Sequence, residues 1–300
     1  MTPLTRRQWM QSALAAGAGL AAAPAAAIEP IARPGPARMK LSLAAYSFNK
    51  LLDRRKGAKP KMTLEEFIDL GASYGLGAVE LTEYYFAETT PEYLAALKGR
   101  CTRLGLDVSG TAVGNNFCVA EPDKLKAQIE SVKRWAEHTA RLGGKTMRIF
   151  AGTTPRGDTE EAAVKRCIAA IQEACDHAGK LGIYLALENH GGVVSTAEQM
   201  LAIVTAVKHD WFGVNLDTGN FRTPDPYGDL AKLAPYAVVV QIKTEVHPSG
   251  GREEADLRRV IDILRQARYR GYVALEYEAA ADPMTAVPKY LEQIRQLIAG

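Results

Sequence analysis

Histidine and cysteine are scarce in this chain, five and four among 300 residues. Cys101, Cys118, Cys167 and Cys175 show no CxxC spacing and no disulfide-scaffold density, which excludes a cysteine zinc site and a stapled mini-fold. Cys167 and Cys175 lie eight apart in a helical pattern, so their backbones stand roughly 12 Å apart and cannot bridge. All four read as buried free thiols. Net charge is also low, +3 for the whole chain, and offers no basic footprint for nucleic acid. No Gly-rich phosphate loop follows the first strand-like run, which ends Ala44-Ala45-Tyr46-Ser47-Phe48, so a dinucleotide-binding open sheet lacks its marker. An apolar run long enough for a confident membrane helix, roughly 20 residues, is missing too.

The N-terminus carries a different pattern. Thr5-Arg6-Arg7-Gln8-Trp9-Met10 precedes an Ala/Gly/Leu run and then Pro24-Ala25-Ala26-Ala27. A basic pair, a weakly apolar centre and a small-residue exit site are the parts of an export signal, and adjacent arginines mark the twin-arginine type. An Ala-rich helix packed on the domain is the weaker alternative, because the run has no polar face and is broken by Gly and Pro. Residues 1–27 are therefore expected to be removed, taking net charge from +3 to +1 because Arg6 and Arg7 leave and no acid does. The mature protein is expected to be exported to the periplasm with no stable membrane insertion. Residues 28–39, with three prolines, are expected to form a linker to a catalytic domain over 40–300.

From Lys40 onward, short apolar runs alternate with longer amphipathic ones. The strands predicted are 41–46, 78–82, 107–111, 146–150, 183–188, 212–217, 238–242 and 272–277. Most are apolar on consecutive positions, as parallel strands covered on both faces require. Helical patterns fall at 63–74, 121–142, 159–181, 253–267 and 283–298, with Gly75, Gly105, Gly144, Gly182 and Gly271 as stops before the next strand. Eight βα units in about 260 residues predict one (β/α)₈ TIM barrel.

Chemistry in such a barrel belongs at the carboxyl ends of the strands. Those ends read Glu80-Leu81-Thr82-Glu83-Tyr84, Leu187-Glu188-Asn189-His190, Leu216-Asp217-Thr218-Gly219-Asn220, Gln241-Ile242-Lys243 and Leu275-Glu276-Tyr277-Glu278. One acid at a strand end is usually a helix cap or a salt-bridge partner. Neighbouring strands delivering Glu188, Asp217, Gln241 and Glu276 to one rim form a cluster whose charges repel unless a cation or protons neutralise them. A mixed carboxylate and amide set suits Mn²⁺ or Mg²⁺ better than Zn²⁺.

These segments resemble the xylose-isomerase-like barrel superfamily of sugar isomerases and epimerases. The resemblance implies one divalent metal, with Mn²⁺ the first expectation and Mg²⁺, Co²⁺ or Zn²⁺ as alternatives, held by Glu188, Asp217, Gln241 and Glu276. Gln241 stands where members of that superfamily commonly carry histidine, and is the least secure ligand. Asn220 likewise stands where relatives often place histidine. By the same resemblance, Glu188 and Glu276 are the proton-transferring pair. His190 is a candidate shuttle or sugar ligand, or a structural histidine. Lys243 is a candidate oxyanion stabiliser, or a salt-bridge partner of the strand-end acids. Tyr46, Glu80, Tyr84, Asn115 and Asn220 are candidate sugar-facing groups.

The expected partner is a small unphosphorylated sugar or glycoside; no nucleic acid is expected, and a homo-oligomer is compatible with the sequence. The expected reaction is metal-dependent isomerisation or epimerisation by proton abstraction next to a carbonyl. Elimination from a 3-keto-glycoside and a non-catalytic sugar-binding barrel are the alternatives. A nuclease of the same fold is disfavoured, because that branch needs a His-rich multi-metal site.

Overall fold

The computed structural model describes residues 28–57 and 59–300. The expected export signal, residues 1–27, lies outside the described residues. Eight parallel strands close into a barrel: β1 (Arg38–Ala44), β2 (Ala78–Thr82), β3 (Asp107–Ala112), β4 (Thr146–Ile149), β5 (Tyr184–Glu188), β6 (Phe212–Asp217), β7 (Ala237–Ile242) and β8 (Arg270–Leu275). Closure is made by β1 pairing with β8, with Ser42 opposite Ala274 and Leu43 opposite Leu275. A helix follows each strand: α1 (Leu64–Ser73), α2 (Pro91–Arg103), α3 (Pro122–Leu142), α4 (Glu160–Lys180), α5 (Ala197–Ala206), α6 (Pro226–Leu233), α7 (Leu257–Gln266) and α8 (Pro283–Ala299). The predicted (β/α)₈ barrel is the fold observed. No helix among the described residues is long and apolar enough to cross a membrane.

Local chemistry explains the boundaries. Thr63 and Glu66 form a reciprocal capping box at the start of α1, and Thr196 with Gln199 does the same for α5. Proline opens α2, α3, α6 and α8, where its missing N–H costs nothing. Two of the expected glycine stops are corrected. The left-handed residue ending α3 is Gly143 (φ +84°), one before Gly144, and Gly271 lies inside β8 while Arg268 takes the left-handed turn after α7. The expected helix over 253–267 also starts later, at Leu257, because Glu253 and Glu254 pair with Glu245 and Val246 in a small ribbon.

The hydrophobic core lies between the strands and the ring of helices, where Leu43, Val79, Met147, Ile149, Leu185, Leu187, Val214 and Leu216 are fully or almost fully buried. The barrel interior is different. Ser42 and Ser109 share a hydrogen bond of 2.8 Å across it, and buried polar residues climb from there to the mouth: Glu80, Arg148, Glu188, Asn215, Asp217, Gln241, Lys243 and Glu276. Barrel interiors are ordinarily filled by branched apolar side chains, so this interior is built for polar chemistry.

The expected linker is corrected as well. Strand β1 begins at Arg38, and the residues before it are docked rather than free. The Ile31 N–H donates to the Pro235 carbonyl, and the Arg33 guanidinium donates to the carbonyls of Pro235, Ala237 and Ala267 and lies over the Tyr269 ring. Arg270 holds the carbonyls of Pro34 and Pro36. Proline supplies no N–H but leaves its carbonyl free, and two arginines on the lower face of the barrel take up those acceptors.

Candidate active site

The carboxyl ends of β5 to β8 are locked together by side chains that imitate strand pairing. Asn189 donates to the Asp217 carbonyl and accepts from the Asp217 N–H, both at 2.9 Å. The Thr218 hydroxyl accepts from the Lys243 N–H, and the Glu276 N–H reaches the Ile242 carbonyl. Ser47 ties the first strand to the last, donating to the Leu275 carbonyl and accepting from the Tyr277 N–H. The acids of the mouth therefore stand on fixed backbone, which is what a preorganised site needs.

Each of the four expected metal ligands is engaged within the chain. Glu188 stands 2.9 Å from the Arg148 guanidinium and accepts from the Asn220 amide at 2.8 Å. Asp217 accepts from the Gly219 N–H through one oxygen, and its other oxygen lies 3.3 Å from the Lys243 ammonium. Glu276 lies 3.2 Å from the same ammonium, and Glu278 closes the set at 2.6 Å. The Gln241 amide oxygen accepts from Asn215 at 2.6 Å while its NH₂ donates to Glu80 at 2.7 Å, a chain of hydrogen bonds spanning the interior from β6 through β7 to β2.

Burial shapes the charges. Glu80 is pushed up to about 7 by desolvation and by the nearby Glu276 charge, against the pull of its bond to Gln241. Burial raises Asp217 to about 7, Lys243 opposing and Glu276 reinforcing. Glu188 is also raised by burial, although Arg148 opposes the rise. Burial works against the Lys243 charge, yet the carboxylates of Asp217, Glu276, Glu278 and Glu188 outweigh it and hold the ammonium charged well above the usual lysine range. Protons and two side-chain cations thus balance the acids of this mouth.

A divalent ion does not fit this donor set. No group of three or more His, Cys, Asp and Glu among the described residues is arranged to hold a metal. Asp217 Oδ2 is buried without a hydrogen-bond donor, but the ammonium already faces it at 3.3 Å. A dication sharing these oxygens would face that ammonium across roughly 4 Å, a repulsion of about 8 kcal/mol at the effective dielectric usual for protein sites.

The remaining expected residues divide. Tyr46 is half-buried at the mouth, with the Lys243 ammonium 5.9 Å above its ring, and burial followed by the Glu278 charge raises its pKa. Tyr84 carries the Arg55 guanidinium over its ring at 4.9 Å. His190 is exposed at the rim with its ring 4.4 Å from Phe150; partial desolvation, then the charges of Arg148 and Lys243, lower its pKa. Gly191 and Gly192 follow it with φ of +66° and +58°, and a Cβ on Gly192 would stand 2.1 Å from the Gly152 carbonyl oxygen, so this tight turn fixes the loop after β5. Asn115 is spent on structure, both its amide atoms bonding the Phe150 backbone at 2.8 Å. Two contributors were not foreseen. Arg148 is a buried cation in the middle of an apolar strand, and its alternation with Met147 and Ile149 was the available signal. Asn215 is the second.

Larger clefts exist elsewhere, about 750 Å³ between α7 and α8 and about 680 Å³ under the N-terminal segment. Neither gathers buried acids, and a narrower cleft lined by Asn220, Arg222, Lys243, His247 and Glu278 opens directly onto the charged mouth.

Residues 68–297 match the family model described as xylose isomerase-like TIM barrel. The chain belongs to that family. No curated protein sequence matches it. Among solved structures, this family member is similar to a D-psicose 3-epimerase determined in the presence of D-fructose, at 18% identity and TM-score 0.68, covering 87% of this chain and 97% of the other. It is similar to the IolI protein with a bound zinc atom, at 20% identity and TM-score 0.68, covering 86% and 96%. The D-psicose 3-epimerase of Clostridium cellulolyticum H10 with D-tagatose gives 16% identity and TM-score 0.67 over 87% and 92%. At such identities the likeness shows the fold.

Proposed function

We propose that this barrel is an enzyme of the sugar isomerase and epimerase type, acting on an unphosphorylated sugar by moving a proton next to a carbonyl. The observation that carries the reading is the Lys243 ammonium, buried at the mouth within 3.3 Å of Asp217 and Glu276. Proton abstraction beside a carbonyl needs a carboxylate base and a positive charge where the enediolate oxygen develops. Glu276 and Lys243 supply that pair side by side. Glu188, oriented by Arg148 and Asn220, is the second carboxylate for returning the proton. Glu278, whose side chain is 43% exposed, is the contact a sugar oxygen would displace from Lys243.

Family membership and the epimerases among the similar structures support this class of reaction. A substrate met outside the cytoplasm is the reading that the twin-arginine pattern at Arg6-Arg7 supports. Phosphorylated sugars are largely cytoplasmic, and Lys243 and Arg148 are already paired with carboxylates rather than open to a phosphate.

The test is a panel of ketoses, aldoses and 3-keto-glucosides incubated in D₂O and followed by NMR. Deuterium entering the carbon next to the carbonyl, with loss of exchange in Glu276→Gln, supports the reading. Release of an aglycone would redirect it to elimination, which uses the same first proton transfer. Binding without exchange across the panel would sink it in favour of a sugar-binding barrel.

A further inference from the structure

We propose that Lys243 and Arg148 hold this barrel mouth together in place of a divalent metal, so that the site does not bind Mn²⁺, Mg²⁺, Co²⁺ or Zn²⁺.

Four observations converge on it. The four positions that the resemblance assigns to a metal all have partners within the chain: Glu188 on Arg148 and Asn220, Asp217 on Gly219 and Lys243, Glu276 on Lys243, and Gln241 on Asn215 and Glu80. The residue at 241 is neutral, and its one good donor atom, the amide oxygen, is used. The ammonium that would have to leave is itself buried, its side chain only 9% exposed, and bound by three carboxylates. Arg148 is equally fixed, donating to the Val113 carbonyl at 2.7 Å with its guanidinium 3.9 Å over the Phe150 ring. A cation neutralising an acid cluster need not be an ion from solution; a lysine two residues past Gln241, just beyond the end of β7, does the same electrostatic work, and its charge cannot be lost to a chelator.

The inference stands whether or not the barrel turns over a sugar, because the readout is metal binding. The purified full chain is dialysed against MnCl₂ or ZnCl₂, desalted, and its metal measured by mass spectrometry, alongside thermal melts with and without each salt. Wild type is expected to retain far less than one equivalent and to show no shift in melting temperature. Lys243→Met, which removes the charge and keeps the length, frees Asp217 and Glu276 and is expected to gain Mn²⁺-dependent stabilisation. Lys243→Gln replaces it should the methionine variant not fold. One tightly held equivalent in the wild type overturns the proposal. So does a folded Lys243 variant that gains no metal affinity, since the ammonium would then not be what occupies the place.

Discussion

Arg148 and Glu188 meet at 2.9 Å inside the barrel mouth with side chains only 5% and 4% exposed, neighbours on β4 and β5 that compensate each other's burial. Removing one leaves the other charged and unpaired. Arg148→Met is therefore expected to cost about 3–5 kcal/mol of unfolding free energy, the usual loss when a buried pair is halved. Arg148→Met combined with Glu188→Leu should recover most of that loss, because both charges leave together. Urea melts of the wild type, two single variants and the double variant measure the coupling directly. Additive single losses would mean the contact contributes nothing.

Glu80 links the mouth to pH. Its folded pKa, raised to about 7, lies above the ordinary value of 4.5, so the native state binds more protons than the unfolded chain between those limits. Stability from this group is complete below about pH 4.5 and is lost as pH rises toward 7. At about 1.4 kcal/mol per unit, the span amounts to about 3 kcal/mol. Glu80→Gln keeps an acceptor for the Gln241 amide but cannot ionise. The variant is expected to lose stability less steeply than wild type across that window. Parallel slopes in urea melts at pH 5, 6 and 7 would refute the shift.

The fold was legible where sequence and packing agree. Strands β2 and β6 fall at the predicted 78–82 and 212–217, because an unbroken buried run leaves no other register. Strands β1 and β8 were displaced toward their C-terminal ends: Tyr46 and Tyr277 have strand-like side chains but belong to the turns that Ser47 joins, while polar Arg38 and Arg270 begin the strands. Glu188, Asp217 and Glu276 were legible because each ends an apolar run. Their partners were not. Glu80 and Gln241 lie 161 residues apart and meet only through closure of the barrel, and no local pattern announces that Asn215 will take the Gln241 oxygen. Arg148 lies within β4 rather than past its end, where a chain pattern gives no sign of which neighbour it will meet.

Gln241→Ala separates two accounts of this position. As a ligand, its loss would lower metal content. As the bridge between Asn215 and Glu80, its loss leaves two buried polar groups without partners and should cost about 1–3 kcal/mol each, reduced where a water fills the gap. The expected outcome is a lower unfolding free energy with unchanged, substoichiometric metal. Mass spectrometry and urea melts on the same preparation decide it.

Gly219 places Lys243. A Cβ at this residue would stand 2.6 Å from the Lys243 Cβ and Cγ and 2.6 Å from the Glu245 carbonyl oxygen, and the second of these is backbone that cannot swing aside. Gly219 also donates its N–H to Asp217, so its own position is fixed from the other side. Gly219→Ala must therefore move the lysine stem and also the backbone at 219 or 245, at a cost of about 1–3 kcal/mol for overpacking. The ammonium would then shift relative to Asp217 and Glu276, which it now meets at 3.3 and 3.2 Å. Stability should fall modestly, but proton exchange into substrate should fall further, because an electrostatic contact in a closed site depends on placement more than a packed side chain does. Gly99→Ala at a half-buried position of α2, far from Gly219 and Lys243 in sequence and with the flexible end of Arg103 as its nearest atom at 3.3 Å, is the control and should leave exchange intact. Equal exchange rates in the two variants would show that the position of Lys243 does not govern the chemistry.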